Sequence, residues 1–198
     1  MIDYNKVINP TVLEVKPSGI RKFFDIAATM DDVISLGVGE PDFKTPWHIR
    51  EAGIHSLEKS QTRYTSNWGL LELRKEISKF LDRKYNLKYE PEKEILVTVG
   101  GSEAIEIGVK TLINEGDEVI IPEPSFVCYV PIVEMAGGVP VIINTKEENE
   151  FRITKEELQS AITDKTKLLI LPYPNNPTGG IMGREDLDKI AEVLRGTD

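Results

Sequence analysis

The residues best suited to chemistry follow three short apolar runs, and the first of them is suited to binding an anion. Residues 97–104 have the sequence Val-Thr-Val-Gly-Gly-Ser-Glu-Ala, in which an apolar run passes through glycines into a helical pattern. A helix that begins at such a turn presents unpaired backbone N–H groups at the positive end of its dipole, where a phosphate can bind. The glycine spacing fits neither the dinucleotide pattern nor the P-loop. By itself, this glycine turn (residues 100–103) is equally well explained as a plain strand-to-helix connection.

Two further loops could add a flat apolar surface and an amide. Phe126 lies in an aromatic loop (residues 124–128) after the second apolar run, and Tyr129 follows it. Either ring could stack on a planar ligand, but either could also belong to the core. Asn176 lies after the third run, in an amide loop (residues 174–180, Pro-Asn-Asn-Pro-Thr-Gly-Gly). Its amide can donate a hydrogen bond to a ligand oxygen, although Asn-Pro pairs are also ordinary turn material.

The apolar runs alternate with helical patterns, which predicts an α/β fold with a mainly parallel sheet. Strands are predicted at residues 95–99, 119–121, 139–143 and 167–171. Open α/β sheets bind ligands at the carboxyl ends of their strands. We therefore expect the glycine turn, the aromatic loop and the amide loop to meet at that edge.

Local signals also predict how two of the helices are fixed. Thr154 and Glu157 have the spacing of a capping box, and Ile153 with Leu158 has the spacing of a hydrophobic staple. The helix after the glycine turn should bury one apolar face. That face is predicted to comprise Ile105, Val109, Leu112 and Ile113.

Composition excludes several classes of function. The 198 residues are 40% hydrophobic and carry a formal net charge of −9, which argues against sequence-independent nucleic-acid binding. No run of about 18 apolar residues occurs, so no membrane span is expected. A lone Cys128 and a start without a secretory pattern predict a reduced, cytoplasmic chain. His48 and His55 are too far apart on one predicted helix to form a metal pair, and no metal site is expected.

Several ordered motifs resemble those of fold-type I aminotransferases of class I and II, which use pyridoxal 5′-phosphate (PLP). The resemblance is nearest to aspartate-type enzymes and covers essentially all 198 residues, as the N-terminal half of the family's chain. It implies a parallel-rich, three-layer α/β/α large domain that is incomplete here. The implied division is an N-terminal arm and small-domain segment over residues 1–45, and the first part of the PLP-binding domain over residues 46–198. The motifs that carry it lie at residues 34–43, 64–69, 100–104, 116–119 and 175–179.

The resemblance also implies roles for residues of the three loops. Gly101, Ser102 and Glu103 would hold the cofactor phosphate, mainly through backbone N–H groups. Phe126 would stack on the pyridine ring, where many relatives have Tyr or Trp. Asn176 would donate a hydrogen bond to the 3′ oxygen of the cofactor.

Other implied roles concern the partner subunit and the substrate. Tyr64 would reach the cofactor phosphate of a neighbouring subunit, which implies a homodimer. Gly39 would contact the α-carboxylate of the substrate through its main chain. Relatives often have cis peptide bonds before the prolines that match Pro124 and Pro177, and such bonds are tolerated before proline.

The implied reaction transfers an amino group between an L-amino acid, of aspartate or aromatic type, and a 2-oxo acid. In the family, the Schiff-base lysine, the aspartate that pairs with the pyridine nitrogen and the substrate-binding arginines match positions beyond Asp198. We therefore expect no catalytic residue within this chain, and an inactive N-terminal fragment. Unpaired sheet edges should make such a fragment marginally stable or prone to association.

Alternative functions remain open at this stage. A PLP-dependent β-lyase that acts on sulfur amino acids shares this half of the motif set. A non-catalytic PLP-fold module, as in regulators that fuse the fold to a DNA-binding domain, and an interaction fragment are further alternatives.

Overall fold

The computed structural model describes residues 2–16, 19–27, 29–34, 37, 39 and 41–197. The chain forms two compact units, one from residues 1–17 with 99–198 and the other from residues 18–98. The described helices and strands, in chain order, are α1 (Pro10–Glu14), α2 (Ile20–Ala27), α3 (Trp47–Glu58), α4 (Leu71–Tyr85), α5 (Gly101–Leu112), β1 (Glu118–Glu123), α6 (Tyr129–Met135), β2 (Val139–Asn144), α7 (Lys155–Ala161), β3 (Thr166–Leu169) and α8 (Arg184–Leu194). Short 3-10 helices lie at Tyr4–Lys6 and Glu147–Asn149.

The first unit is built on a parallel sheet with the strand order β2-β1-β3 among the described residues. Glu123 pairs with Asn144, so β1 and β2 end level with each other. The pairing of β1 with β3 contains one irregularity, between Glu118 and Val119. As predicted, the strands run parallel, and their carboxyl ends lie at one edge of the sheet.

Helices cover both faces of this sheet. Because side chains alternate along a strand, Val119 and Ile121 pack with residues of α5 and α6, whereas Ile120 packs with residues of α7 and α8. All three side chains are fully buried. The arrangement is the predicted three-layer α/β/α sandwich, with β1 at its centre.

The local helix signals are largely confirmed. The Thr154 backbone N–H donates to Glu157 Oε2 at 3.0 Å, and the Glu157 N–H donates to Thr154 Oγ1 at 3.2 Å, which completes the capping box. Val109 of α5 is buried, and so is Ile113, which directly follows α5. Leu112 is 50% exposed at the margin of this face, so the prediction that it is buried is wrong.

The predicted strand at residues 95–99 is wrong. These residues are irregular, and the backbone N–H of Val97 donates instead to the carbonyl oxygen of Trp68 at 3.1 Å. A strand requires a hydrogen-bonded neighbour, and no described strand pairs with this segment. The backbone N–H of Val97 is therefore paired through a loop contact and not through a sheet.

The second unit contains α2, α3 and α4. Arg74 of α4 is buried, and its Nη1 donates to the carbonyl oxygen of Pro91 at 2.7 Å, which fixes the following loop to the helix. The helix ends at Asn86, whose φ of 55° is the left-handed conformation common at helix ends. The predicted domain boundary between residues 45 and 46 stays a prediction. The family motif at residues 34–43 lies partly outside the described residues.

Candidate functional site

The glycine turn opens directly into α5, and its backbone conformation requires glycine. Gly100 has φ 92° and ψ 170°, a region that only glycine adopts readily. Among the described residues, a Cβ built at Gly100 or Gly101 meets no atom within 4 Å, so no neighbouring side chain crowds either position. No described side chain caps α5. The first-turn N–H groups of a helix lack intrahelical acceptors and suit an anionic ligand at this position.

The side chain of Glu103 is hydrogen-bonded to the backbone just before this turn. Its Oε2 accepts a short hydrogen bond from the backbone N–H of Val99, four residues earlier. The carboxylate is thereby directed to the preceding backbone and not outward as a ligand group. Only the main chain of Glu103 suits the predicted contact with a phosphate.

The side chain of Ser102 connects the glycine turn to the aromatic loop. The Ser102 side chain lies beside the Cys128 thiol. Burial raises the pKa of this thiol, and the Ser102 hydroxyl partly offsets the rise. Sequence reasoning did not place Cys128 here, because nothing in the order of residues connects it with Ser102.

Phe126 and Tyr129 have different roles in the aromatic loop. Their rings meet edge to face, with centroids 6.0 Å apart and an interplanar angle of 82°. Tyr129 packs against the core cluster beneath the loop, and burial raises the pKa of its hydroxyl. Phe126 is 36% exposed. Of the two rings, Phe126 is therefore the one available to a ligand.

The amide loop contains one buried and one exposed asparagine. Asn175 is 6% exposed, and its Nδ2 donates to the carbonyl oxygen of Pro124 at 2.8 Å and to Thr178 Oγ1 at 3.1 Å. Asn176, the residue predicted from sequence, is exposed. The first amide attaches the loop to the protein, while the second is free to face a ligand.

These contacts bring five of the predicted residues to one edge of the sheet. The Ser102–Cys128 contact joins the glycine turn to the aromatic loop, and the Asn175–Pro124 contact joins the aromatic loop to the amide loop. The predicted residues in these three loops are Gly101, Ser102, Glu103, Phe126 and Asn176.

The other two predicted residues lie in the second unit. Tyr64 is fully exposed. Gly39 is exposed, and no atom of another described residue lies within 4 Å of a Cβ built there. Val38 and Glu40, on either side of Gly39, are outside the described residues. The predicted roles of Tyr64 and Gly39 stay predictions.

The proline-rich loops contain cis peptide bonds. The Glu123–Pro124 and Asn176–Pro177 bonds are cis, as predicted, and the Tyr173–Pro174 bond, which was not predicted, is also cis.

No described helix combines the length and apolar character required to cross a bilayer. Within the residues that the structure describes, no group of three or more His, Cys, Asp or Glu side chains could hold a metal ion.

Comparison with known families adds evidence that the geometry alone does not supply. The family model for aminotransferase class I and II matches residues 31–197. The chain belongs to this aminotransferase family. Its fold is shared with the aspartate aminotransferases among its structural neighbours.

Individual relatives agree with this assignment. An aspartate aminotransferase of Pyrococcus abyssi is 50% identical over 90% of this chain and 46% of the relative. Aromatic-amino-acid aminotransferase 2 of Thermococcus litoralis is 45% identical over 90% of this chain and 46% of the relative. The aspartate aminotransferase structure from Rhizobium meliloti matches with a TM-score of 0.86 and 35% identity, covering 94% of this chain and 48% of that one. The chain thus spans about half the length of these aminotransferases.

Proposed function

We propose that the gene product containing residues 1–198 is a PLP-dependent aminotransferase. It transfers an amino group between an L-amino acid of aspartate or aromatic type and a 2-oxo acid. The observation that carries the proposal is the convergence of an open helix start, an exposed aromatic ring and an exposed amide at one sheet edge, in a chain of this family. Relatives named as aspartate and aromatic aminotransferases support the substrate class.

The donor groups at this edge fit PLP. When bound, PLP supplies an electron sink that makes the α-proton of an amino acid removable. Gly101, Ser102 and Glu103 would bind the phosphate through main-chain N–H groups at the start of α5, where no described side chain crowds Gly101. Phe126 would stack on one face of the ring and help to exclude water from it. Asn176 would donate to the 3′ oxygen and fix the orientation of the ring.

We also propose that the active form is a homodimer in which Tyr64 completes the site of the partner. Its fully exposed side chain supports an intermolecular role. Mixing Tyr64→Phe and Asn176→Ala subunits tests this arrangement. If Tyr64 acts across the interface, each mixed dimer contains one intact site and activity returns. If Tyr64 acts within its own subunit, mixing restores nothing.

The main chain of Gly39 is proposed to contact the α-carboxylate of the substrate. Among the described residues, no atom lies within 4 Å of a Cβ built at Gly39, which supports access of a ligand to this backbone. A bulky Gly39→Val substitution should raise KM for the amino acid more than the dissociation constant for PLP. An equal rise in the KM for the amino acid and in the dissociation constant for PLP would contradict a substrate contact.

Residues 1–198 alone are proposed to be inactive as a transaminase. The resemblance implies that the lysine that binds PLP covalently in the family matches a position beyond this segment. The chain spans 46% of the length of two aminotransferase relatives. Purified residues 1–198 should show no amino-transfer rate above background. They should also give no borohydride-stable PLP–lysine adduct. A measurable rate or adduct would refute the proposed inactivity.

The reaction itself is tested with the gene product and a panel of amino acids. Aspartate and aromatic amino acids should be converted only when a 2-oxo acid acceptor is present, and the acceptor should appear as its amino acid. Release of ammonia from sulfur amino acids without an acceptor would instead indicate a β-lyase. A cytoplasmic location, proposed from the free Cys128, is tested by fractionation of the source cells.

A further inference from the structure

We propose that Asn175 is a positioning residue that sets the amide of Asn176 relative to the Phe126 ring. The inference rests on the proposed function, since it concerns how PLP is oriented in this site. It assigns different tasks to two adjacent residues of the same type. Asn175 holds the amide loop, and Asn176 meets the cofactor.

Asn175 closes the amide loop on itself. Its backbone N–H donates to the carbonyl oxygen of Gly180 at 2.9 Å, and its own carbonyl oxygen accepts from the N–H of Gly179 at 2.8 Å. Its Nδ2 also donates to Thr178 Oγ1 at 3.1 Å. Three of the following residues are therefore hydrogen-bonded to Asn175, while Asn176 is exposed.

The same side chain attaches the closed loop to the aromatic loop. Nδ2 donates to the carbonyl oxygen of Pro124 at 2.8 Å, two residues before Phe126. A carbonyl oxygen can only accept, so the amide nitrogen, and not Oδ1, must face Pro124. The loop that carries Asn176 and the loop that carries Phe126 are thus joined through one buried donor.

Packing leaves the loop little freedom to move. A Cβ built at Gly180 would lie 2.9 Å from the carbonyl oxygen of Glu150. The hydroxyl of Tyr173 donates to the carbonyl oxygen of Phe151 at 2.7 Å, just before the amide loop begins. Among the described residues Asn175 Oδ1 has no hydrogen-bond partner, so Nδ2 makes every side-chain hydrogen bond of Asn175 found there.

The test compares two cofactors in the gene product that contains residues 1–198. One is PLP, and the other is 3-deoxypyridoxal phosphate, which lacks the oxygen that Asn176 would contact. Dissociation constants for both are measured by fluorescence titration of the apoprotein. One neutral hydrogen bond corresponds to a preference for PLP of about two- to tenfold. The Asn176→Ala variant should lose this preference.

Asn175→Asp is the informative variant, because it keeps the shape of the side chain and places an oxygen against the Pro124 carbonyl. We expect the ratio of the two dissociation constants to fall close to one, so that PLP is no longer preferred. The matched control is Asn144→Asp, which adds the same charge to an exposed residue at the end of β2 and should keep the preference. Loss of affinity for both cofactors by the same factor would show a merely structural role and overturn the inference.

A second variant covers the case in which Asn175→Asp does not fold. Thr178→Val removes the other acceptor of Nδ2 at nearly constant volume and should reduce the preference partially. An unchanged preference in Thr178→Val, with Asn175→Asp unfolded, would count against positioning. Failure of the unmodified protein to bind either cofactor would contradict the proposed function itself, and the inference with it.

Discussion

The side-chain amide of Asn175 donates a 2.8 Å hydrogen bond to the carbonyl oxygen of Pro124, 51 residues earlier in the chain. A parallel link joins the loop after β2, where Thr145 Oγ1 donates to the carbonyl oxygen of Glu123 at 2.8 Å. Both Asn175 and Thr145 are buried. The loops that follow all three described strands are therefore held together by buried donors at the carboxyl edge of the sheet.

Substitution of Gly100 should damage the start of α5. An alanine at φ 92° and ψ 170° costs about 1–3 kcal/mol of backbone strain, and relief of that strain would move the first-turn N–H groups. We expect weaker PLP binding and lower stability in urea unfolding. The control is Gly108→Ala on the exposed side of the same helix, which should stabilise by about 0.5–1 kcal/mol. Unchanged PLP affinity in Gly100→Ala would exclude this turn from the site.

Truncation of Leu158 should be among the most damaging core changes. Its side chain is fully buried beneath β1, together with Ile120 and Ile190. Leu158→Ala leaves a cavity and should cost about 2–5 kcal/mol in equilibrium urea unfolding. Leu187→Ala on α8 is the comparison, because Leu187 is 41% exposed and should cost much less. Equal costs would mean that the layer beneath β1 is not packed as described.

How far the sequence predicts the fold depends on whether a signal is local. The capping box of Thr154 and Glu157 was predictable, since both partners lie within four residues. The strands β1 and β2 were predictable because buried parallel strands are continuous apolar runs. Residues 95–99 have a similar apolar run, but no described strand pairs with it, and sequence alone does not reveal that difference.

The sequence predicts which loops form the candidate site, but it does not predict the different roles of adjacent residues within them. The sequence indicates an asparagine amide at this edge, but Asn175 and Asn176 are identical in type and adjacent. Their separation into a buried and an exposed residue depends on Pro124, which is distant in sequence. The approach of Cys128 to Ser102 is likewise a tertiary contact that no local pattern encodes.

Acidification should remove the stabilisation that Asp186 contributes. The backbone N–H of Gly183, 2.9 Å from Asp186 Oδ2, and then the Arg152 guanidinium at 3.1 Å lower the pKa of this carboxyl group. Stabilisation is therefore present above the unfolded-state pKa of about 3.9 and disappears as the pH falls through the lower folded-state pKa. Asp186→Asn should be less stable than the unmodified chain at neutral pH, with the difference vanishing in acid.

Denaturant unfolding across this pH range measures the effect. The control is Asp188→Asn on the same helix, whose side chain is 62% exposed in its pair with Arg184. Exposed pairs contribute little, so this variant should remain close to the unmodified chain. A stability gap for Asp186→Asn that persists unchanged into acid would show that charge is not the cause.

Residues 1–198 studied alone should associate as concentration rises. Among the described residues, β2 and β3 each pair on one side only, and unpaired strand edges favour contact with other chains. A groove of about 610 Å³ beside β3 adds apolar surface, lined in part by Ile162, Leu168, Leu169, Leu171 and Leu194. Sedimentation velocity over a dilution series should show growing assemblies. A monomer throughout, with one cooperative thermal transition, would contradict this expectation.

The two halves of the proposed cofactor site differ in how soon they can form during folding. The glycine turn is closed by a contact between Val99 and Glu103, so its geometry can arise as soon as α5 does. The Asn175–Pro124 link must first close a long loop of chain, at a cost in conformational entropy. A chain emerging from the ribosome would thus offer an anion-binding helix end well before it could orient a ring bound there.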